Sequence, residues 1–450
     1  MPGIETSTGG VIYGTGDYYN YVLNDLYLPA VAETVIYPNA LLKRIPRGSR
    51  RVQGKQVKFP IHYDDANGVS ALGADGLLPE ADTEKFAQYA FGIKHIYVRA
   101  KFDGISADAS KDRIASWLDI VETEMKAKAN ILARQRQRMY RNDGSGRLCA
   151  VSSYGANVYT CKIHADLIGA ATCQSSPTRF IKVGMLFAIV TPSGATGGTI
   201  RAIGKVASKT TTTFTAQTGL SDGYDHVVTA TPPANNDYVV TLGQFNGSGA
   251  TVSNALKDTG FKNEPMGLRG IIADFDPPDG NAAGFQGVDS DAAANSWHRA
   301  TVKTGGGVAR PQTLELIDEL FLAIVENGDV VPTVGWGDFI QIRKYAQLML
   351  PDRRFNTGGG TMDMDGGYGK LTYNGMPMIA DRDCYGNALE FCYEPDLYMY
   401  EMAPVQWMNK DGSIYHRTSD KDAYQATMYV RETLGSDIRD HHGILADLQG

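Results

Sequence analysis

The chain has 450 residues, 43% of them hydrophobic, and carries 50 acidic against 43 basic side chains for a net charge of −7. Such apolar content excludes a disordered tail, and the length exceeds what one hydrophobic core usually organises. The acidity argues against a protein whose main task is gripping a phosphate backbone. Five cysteines, Cys149, Cys161, Cys173, Cys384 and Cys392, are odd in number and nowhere spaced C-x-x-C, so neither a disulfide framework nor a zinc knuckle is indicated and a reducing compartment is expected. The opening MPGIETSTGG lacks a basic region followed by an apolar core. No apolar run approaches the ~20 residues that cross a bilayer, so synthesis in the cytosol and no membrane attachment are expected.

In chain order, the first segment mixes aromatic and apolar residues with Pro29, Pro38 and Pro46, which interrupt any single long helix; it reads as an extended arm with a short helix. Next, QVKFPIHY alternates, placing Val57, Phe59, Ile61 and Tyr63 on one face and Lys58 and His62 on the other. The stretch from Gly68 to Phe102 ends in a second alternating run, so the two predict a long hairpin with a loose tip. A two-stranded ribbon is marginal alone in water and must lie on something. After it, Ile114, Leu118, Val121, Met125, Leu132 and Met139 recur at helical spacing. Ser106, Asp108 or Ser110 can cap this helix, and Glu122 with Lys126 and Glu124 with Lys128 form favourably ordered pairs. At ~1.5 Å per residue its roughly 32 residues span about 48 Å, enough for a strut.

From Lys162 to Gln244 the texture turns to Thr, Ser, Gly and Ala, with short strands expected at MLFAIV, TIRAIGKVA, TTFTA, HVVTA and DYVVTL. That spacing predicts a small barrel or sandwich inserted into a host fold. The last third alternates: helices at TLELIDELFLAIVENGD and GDFIQIRKYAQLML, strands at VVPTVGW, KLTYNGMPMIAD, ALEFCYE and LYMYEMAP, a hairpin turning on Asp411 and Gly412, and a final strand at AYQATMYVRETLG.

Chemistry-bearing patterns are weak. In the glycine-rich stretch from Thr357 to Tyr373, a phosphate loop would need glycine where Met364 stands and Ser or Thr where Leu371 follows Gly369 and Lys370. Asp363 and Asp365 lack the remaining calcium ligands, so a surface loop is expected. No G-x-S-x-G elbow occurs; DGSGR and NGSGA read as flexible turns. His441 and His442 have no ligand-spaced partner and read as tail residues. Arg134, Arg136, Arg138 and Arg141 cluster at the end of the long helix, either complementing its dipole on a solvated face or contacting phosphate. No enzyme activity, cofactor or metal is expected.

This order of parts resembles the major capsid proteins of tailed bacteriophages. The resemblance is carried by NDLYLPAVAETVIYPNALLKRIPRG, GQFNGSGATVSNALKDTGFKNEPMGLRGII, GFQGVDSDAAANSWHRATV, YNGMPMIADRDCYGNALEFCYEPDLYMYEMAPVQWMNKDG and SDKDAYQATMYVRETLG, in that order over nearly the whole chain. It implies an α+β fold with a long β-hairpin arm, a long spine helix, an α/β axial domain and the inserted small β-barrel or sandwich. The implied boundaries are an N-terminal arm over 1–49, an extended loop over 50–103 and the spine helix with the start of a peripheral domain over 104–161. The insertion follows over 162–244, the peripheral domain over 245–308, the axial domain over 309–414, and a return to the peripheral domain with a C-terminal tail over 415–450.

By the same resemblance, copies of the chain form hexamers and pentamers that close an icosahedral shell around phage DNA, with only weak non-specific contact to the DNA. Contacts between subunits are expected at Leu72, Leu77, Leu78, Pro79 and Glu80 near the hairpin tip, and at Arg353, Arg354 and Phe355 near a ring axis. Portal and decoration proteins are possible partners. Few residues precede the arm, which implies a separate scaffold protein or none. Some members of the family crosslink a hairpin lysine; Lys85 is the nearest here, without a matching asparagine or acid, so no crosslink is carried over. The alternatives are a nanocompartment shell of the same fold enclosing enzymes, and a β-rich carbohydrate-binding or hydrolytic protein.

Overall fold

The computed structural model describes residues 40–65, 68–73, 77–80, 82–104, 120–164, 166–192, 198–218, 224–248, 251–349, 371–409, 414–417 and 422–450. They fall into two compact units, a larger one of 40–95, 136–403 and 431–450 and a smaller one drawn from 96–135 and 404–430.

The larger unit begins with the short helix α1 (Ala40–Arg44) and strands β1 (Arg47–Gly48), β2 (Val52–Gln53), β3 (Gln56–Asp64) and β4 (Lys85–Gly92). β2, β3 and β4 form an antiparallel ribbon in which Phe59 opposes Tyr89 and Val57 opposes Phe91. The alternation expected of QVKFPIHY is present: Val57, Phe59 and Ile61 are buried, and Lys58 and His62 are not. β5 (Lys94–Asp103) and the long helix α2 (Ile120–Arg141) each have residues in both units.

Seven strands follow: β6 (Arg147–Gly155), β7 (Val158–Lys162), β8 (Leu186–Val190), β9 (Ile200–Lys209), β10 (Thr213–Ala216), β11 (Val227–Val228) and β12 (Tyr238–Thr241). Six of them run in the order β10-β7-β6-β12-β8-β9, and pairing of β9 with β10 closes the ring. The insertion is therefore a barrel, with β11 alongside on β9. Tyr159, Phe187, Phe214, Ile189 and Val239 fill it, Tyr159 stacking on Phe214 at 4.8 Å. Its first two strands lie before Lys162, where the sequence texture placed the boundary; RLCAVSSYG is as apolar as the host fold, so composition does not mark where the barrel starts.

DGSGR is not a flexible turn. Asp143, Ser145 and Arg147 are buried, and Asp143 accepts from the Ser145 amide and hydroxyl while pairing with Arg147. Gly146 has φ +79 and a Cβ there would overlap the Gly260 carbonyl, so both backbone conformation and close approach require glycine.

After the small hairpin β13 (Gly247–Ser248) and β14 (Thr251–Val252) and the short helix α3 (Leu268–Ile271), the chain builds a mixed six-stranded sheet. Its members are β15 (Thr301–Lys303), β16 (Val334–Gly337), β17 (Thr372–Tyr373), β18 (Met376–Ala380), β19 (Leu389–Cys392) and the C-terminal β23 (Gly443–Leu445), in the order β15-β23-β19-β16-β18-β17. Helix α4 (Leu314–Gly328) starts at Thr313, whose hydroxyl accepts from the Leu316 amide, and α5 (Phe339–Leu348) starts at Asp338, which caps Ile340. Ile317, Leu320 and Ile324 of α4 and Ile342 and Tyr345 of α5 pack with Leu389 and Phe391 on one face of the sheet. Trp336, Cys392 and Ile444 pack on its other face with Tyr140, Ile271 and Phe285.

Three further strands complete the chain: β20 (Leu397–Trp407), β21 (His416–Arg417) and β22 (Ala423–Ser436). In the smaller unit β5 and β21 both pair with β22, and Ala100, Phe102 and Ala426 bury with Trp407 and Ile414 against them. There the Tyr415 hydroxyl lies 3.3 Å from the Met125 sulfur, and Glu124 pairs with Lys128 at 3.5 Å as the helical spacing predicts. The helix start, the glycine-rich loop and the Asp411–Gly412 turn lie outside the described residues.

Candidate self-association surface

The ribbon differs along its length, and the difference begins with what its base rests on. Val57, Phe59, Ile61, Tyr89 and Phe91 bury against Tyr398 and Tyr400, while Tyr63 stacks on Trp297 at 4.3 Å. The Ala90 amide donates to the Gln286 carbonyl at 2.8 Å, and the Tyr89 hydroxyl meets His298 Nδ1 at 3.0 Å. His298 Nε2 lies 3.1 Å from the Phe285 carbonyl and must donate to it, so Nδ1 accepts from Tyr89 and the ring is neutral. Burial, reinforced by the Arg439 charge, holds its pKa down at about 3.

The loop beneath, residues 270–300, is shaped by Arg439. Its guanidinium makes six hydrogen bonds, to the carbonyls of Ile271, His298, Gly270, Ala273 and Phe275 and to the Ser290 hydroxyl. It lies over the Phe285 ring at 4.4 Å. Burial lowers its pKa to about 10, with Asp276 working in the opposite sense. Backbone carbonyls rather than a carboxylate receive this charge, which orders the loop because those oxygens come from both ends of it. The ribbon base therefore lies on its own chain, which supplies the support that a lone two-stranded ribbon needs.

At the tip the packing stops. Leu77 is 92% exposed, Leu78 88%, Val69 95% and Leu72 48%, and Pro79 and Glu80 are exposed too. Isolated exposed apolar side chains are ordinary, but four at one ribbon end form a surface that water solvates poorly. Fully burying one leucine contributes about 1.5–3 kcal/mol, a gain that Leu77 and Leu78 do not make within this chain. Arg353, Arg354 and Phe355 lie outside the described residues. Lys85 pairs with Asp64 at 2.5 Å across the ribbon.

The arginines closing α2 correct the sequence reading. Arg136, Arg138 and Arg141 are neither solvated nor free for phosphate: all three are buried and paired. Arg136 grips Glu432 through two bonds of 2.6 Å, and Arg138 pairs with Glu264. Arg141 meets Asp381 at 2.7 Å and Glu390 at 3.0 Å, and Glu390 also takes Arg269 at 3.3 Å. Burial by itself would raise the Asp381 pKa; the Arg141 charge and hydrogen bonds outweigh it and hold the carboxyl below its usual value. A carboxylate and guanidinium buried together satisfy each other where either alone would be costly. His441 and His442 are not tail residues either. His442 is fully buried between Ser436, at 2.9 Å, and the Tyr393 amide, at 3.3 Å, and His441 pairs with Asp396. All five cysteines are free, four of them buried.

Sequence reasoning passed over Arg439, His298 and Trp297. A single arginine in SDIRDHHG carries no local pattern, and its partners are about 140–170 residues away. No protein-family model matches the chain, and no curated protein matches it. Among solved structures, a chain of the cyanophage A-1(L) capsid asymmetric unit is similar with a TM-score of 0.56 at 9% identity, covering 96% of this chain and 98% of that one. A chain from the capsid of the native GTA particle gives 0.48 at 9% identity, with 98% and 99% covered. One from the holo-SrpI encapsulin complex of Synechococcus elongatus PCC 7942 gives 0.44 at 7% identity, with 97% of each covered. The first of these carries the assignment: the chain has the α+β fold of tailed-phage major capsid proteins.

Proposed function

We propose that this chain is the major capsid protein of a tailed bacteriophage, a structural subunit whose copies form hexamers and pentamers and close an icosahedral shell around double-stranded DNA. The observation that carries the reading is the divided ribbon, rooted on its own subunit through Tyr89 and Ala90 and presenting Val69, Leu72, Leu77 and Leu78 to solvent. On a capsid fold, a neighbouring copy is what covers such a tip. Obligate interfaces commonly bury ~2,000 Å² or more, and one tip repeated round a ring contributes to each of them. The net charge of −7 suits a wall that contains DNA without binding it tightly. In this reading 309–414, with β16, β17, β18, β19, α4 and α5, is the axial domain, and 50–103 is the extended loop.

The test is expression of the chain, alone and with any neighbouring scaffold gene, followed by size-exclusion chromatography and negative-stain microscopy. Rings or closed particles are expected from the wild type, and small species of unchanged circular dichroism from the Leu77→Ser, Leu78→Ser double variant. A well-folded monomer at every concentration, or hydrolase activity, overturns the reading. Particles that take up protein cargo instead of DNA would make the chain a nanocompartment shell.

A further inference from the structure

We propose that His62, Asp65 and Glu84 form a binding site for a divalent transition metal, with zinc as the cation the donor set fits best, at the point where the ribbon leaves its anchored base. Glu84 Oε2 lies 2.7 Å from His62 Nε2, and Asp65 Oδ1 lies 3.6 Å from the same nitrogen. One donor atom from each residue falls within 4.8 Å of the others. Both carboxylates converge on one imidazole nitrogen, Asp65 from just after β3 and Glu84 from just before β4, and the register shift between His62 and Asp64 sets where the β3 end turns. The ring lies against Phe86 at a centroid distance of 4.9 Å, which limits its rotation.

Zinc binds imidazole nitrogen and carboxylate oxygen at about 2.0–2.2 Å and is content with three protein ligands and water. Donors already this close need only small side-chain rotations to meet one ion. An imidazole among the ligands disfavours calcium and magnesium, which take oxygen alone. Two carboxylates balance the charge of the ion, and the neighbouring Lys85 ammonium is engaged by Asp64 at 2.5 Å. The second acidic group, Asp276, Asp289 and Asp291, differs in kind: Asp276 accepts from the Phe285 and Ser290 amides, Asp289 from the Asp291 amide and Asp291 from the Asp276 amide, so those carboxylates build turns. A metal at His62 would staple β3 to β4 just below the exposed leucines and hold the direction in which the tip projects.

The test is a zinc titration of the chelator-treated full chain by calorimetry, with cobalt substituted in parallel and followed by its visible absorption. It reads binding on the chain itself and does not depend on shell formation. The expected result is one saturable site per chain, weakened at least tenfold by His62→Ala and by Glu84→Gln and unchanged by Asp289→Asn. Both ribbon variants replace exposed side chains, so folding is preserved. Absence of saturable binding, affinity in His62→Ala equal to wild type, or loss of binding in Asp289→Asn alone overturns the proposal.

Discussion

The base and the tip of one ribbon obey opposite rules. At the base, aromatic side chains alternate into a core, a buried hydroxyl finds a neutral histidine and a backbone amide finds a carbonyl, all within the chain. About a dozen residues further, leucines stand almost fully in water. The contrast teaches that the base of the ribbon is fixed by packing within the chain, whereas the described apolar residues of its tip find no such packing.

The sharpest way to break that division is Phe59→Ala. Phe59 sits between Tyr89, Phe91 and Tyr400 at centroid distances of 5.4–6.5 Å, and its removal should destabilise the folded chain by roughly 3–5 kcal/mol, read in urea unfolding. Assembly should then fail through loss of the folded base even with the leucines intact.

Acid tests the base more gently. The His298 pKa of about 3 lies below the ordinary 6.5, so the unfolded chain takes up a proton first as pH falls. Its contribution is whole above pH 6.5 and is lost progressively toward pH 3, at about 1.4 kcal/mol per pH unit. His442, also at about 3, adds the same slope, whereas Asp440, raised to about 6 by burial, opposes it between 6 and 3.8. Urea midpoints should therefore fall from pH 6.5 downward; a rise on acidification between 6.5 and 6, before Asp440 takes up its proton, contradicts the buried neutral rings.

The tip should give the smallest effect on the chain and a decisive one on the particle. Leu77→Ser with Leu78→Ser should leave the urea midpoint of the unassembled chain within about 0.5 kcal/mol of wild type, since neither side chain is packed. A larger loss would mean that the tip, too, is held by its own subunit.

Most elements could be read directly. Period-two alternation marks β3, short strand-forming runs between turn residues mark β8, β9, β10 and β12, and helical spacing marks α4 and α5, because these patterns are local and need no knowledge of what covers the element. β6 and β7 were hidden since nothing in their composition separates barrel from host. The tip leucines were legible as apolar residues in a loop, a local contradiction that survives folding.

By itself, the sequence determined the kinds of element, their order and the apolar character of the tip, all of which depend on near neighbours along the chain. Only the tertiary structure decided that Arg136, Arg138 and Arg141 are interior residues, that His442 closes a core and that Arg439 shapes the platform under the ribbon. The reason is distance in sequence: Arg136 and Glu432 stand 296 residues apart, and a charge becomes buried or solvated according to whether such a partner arrives.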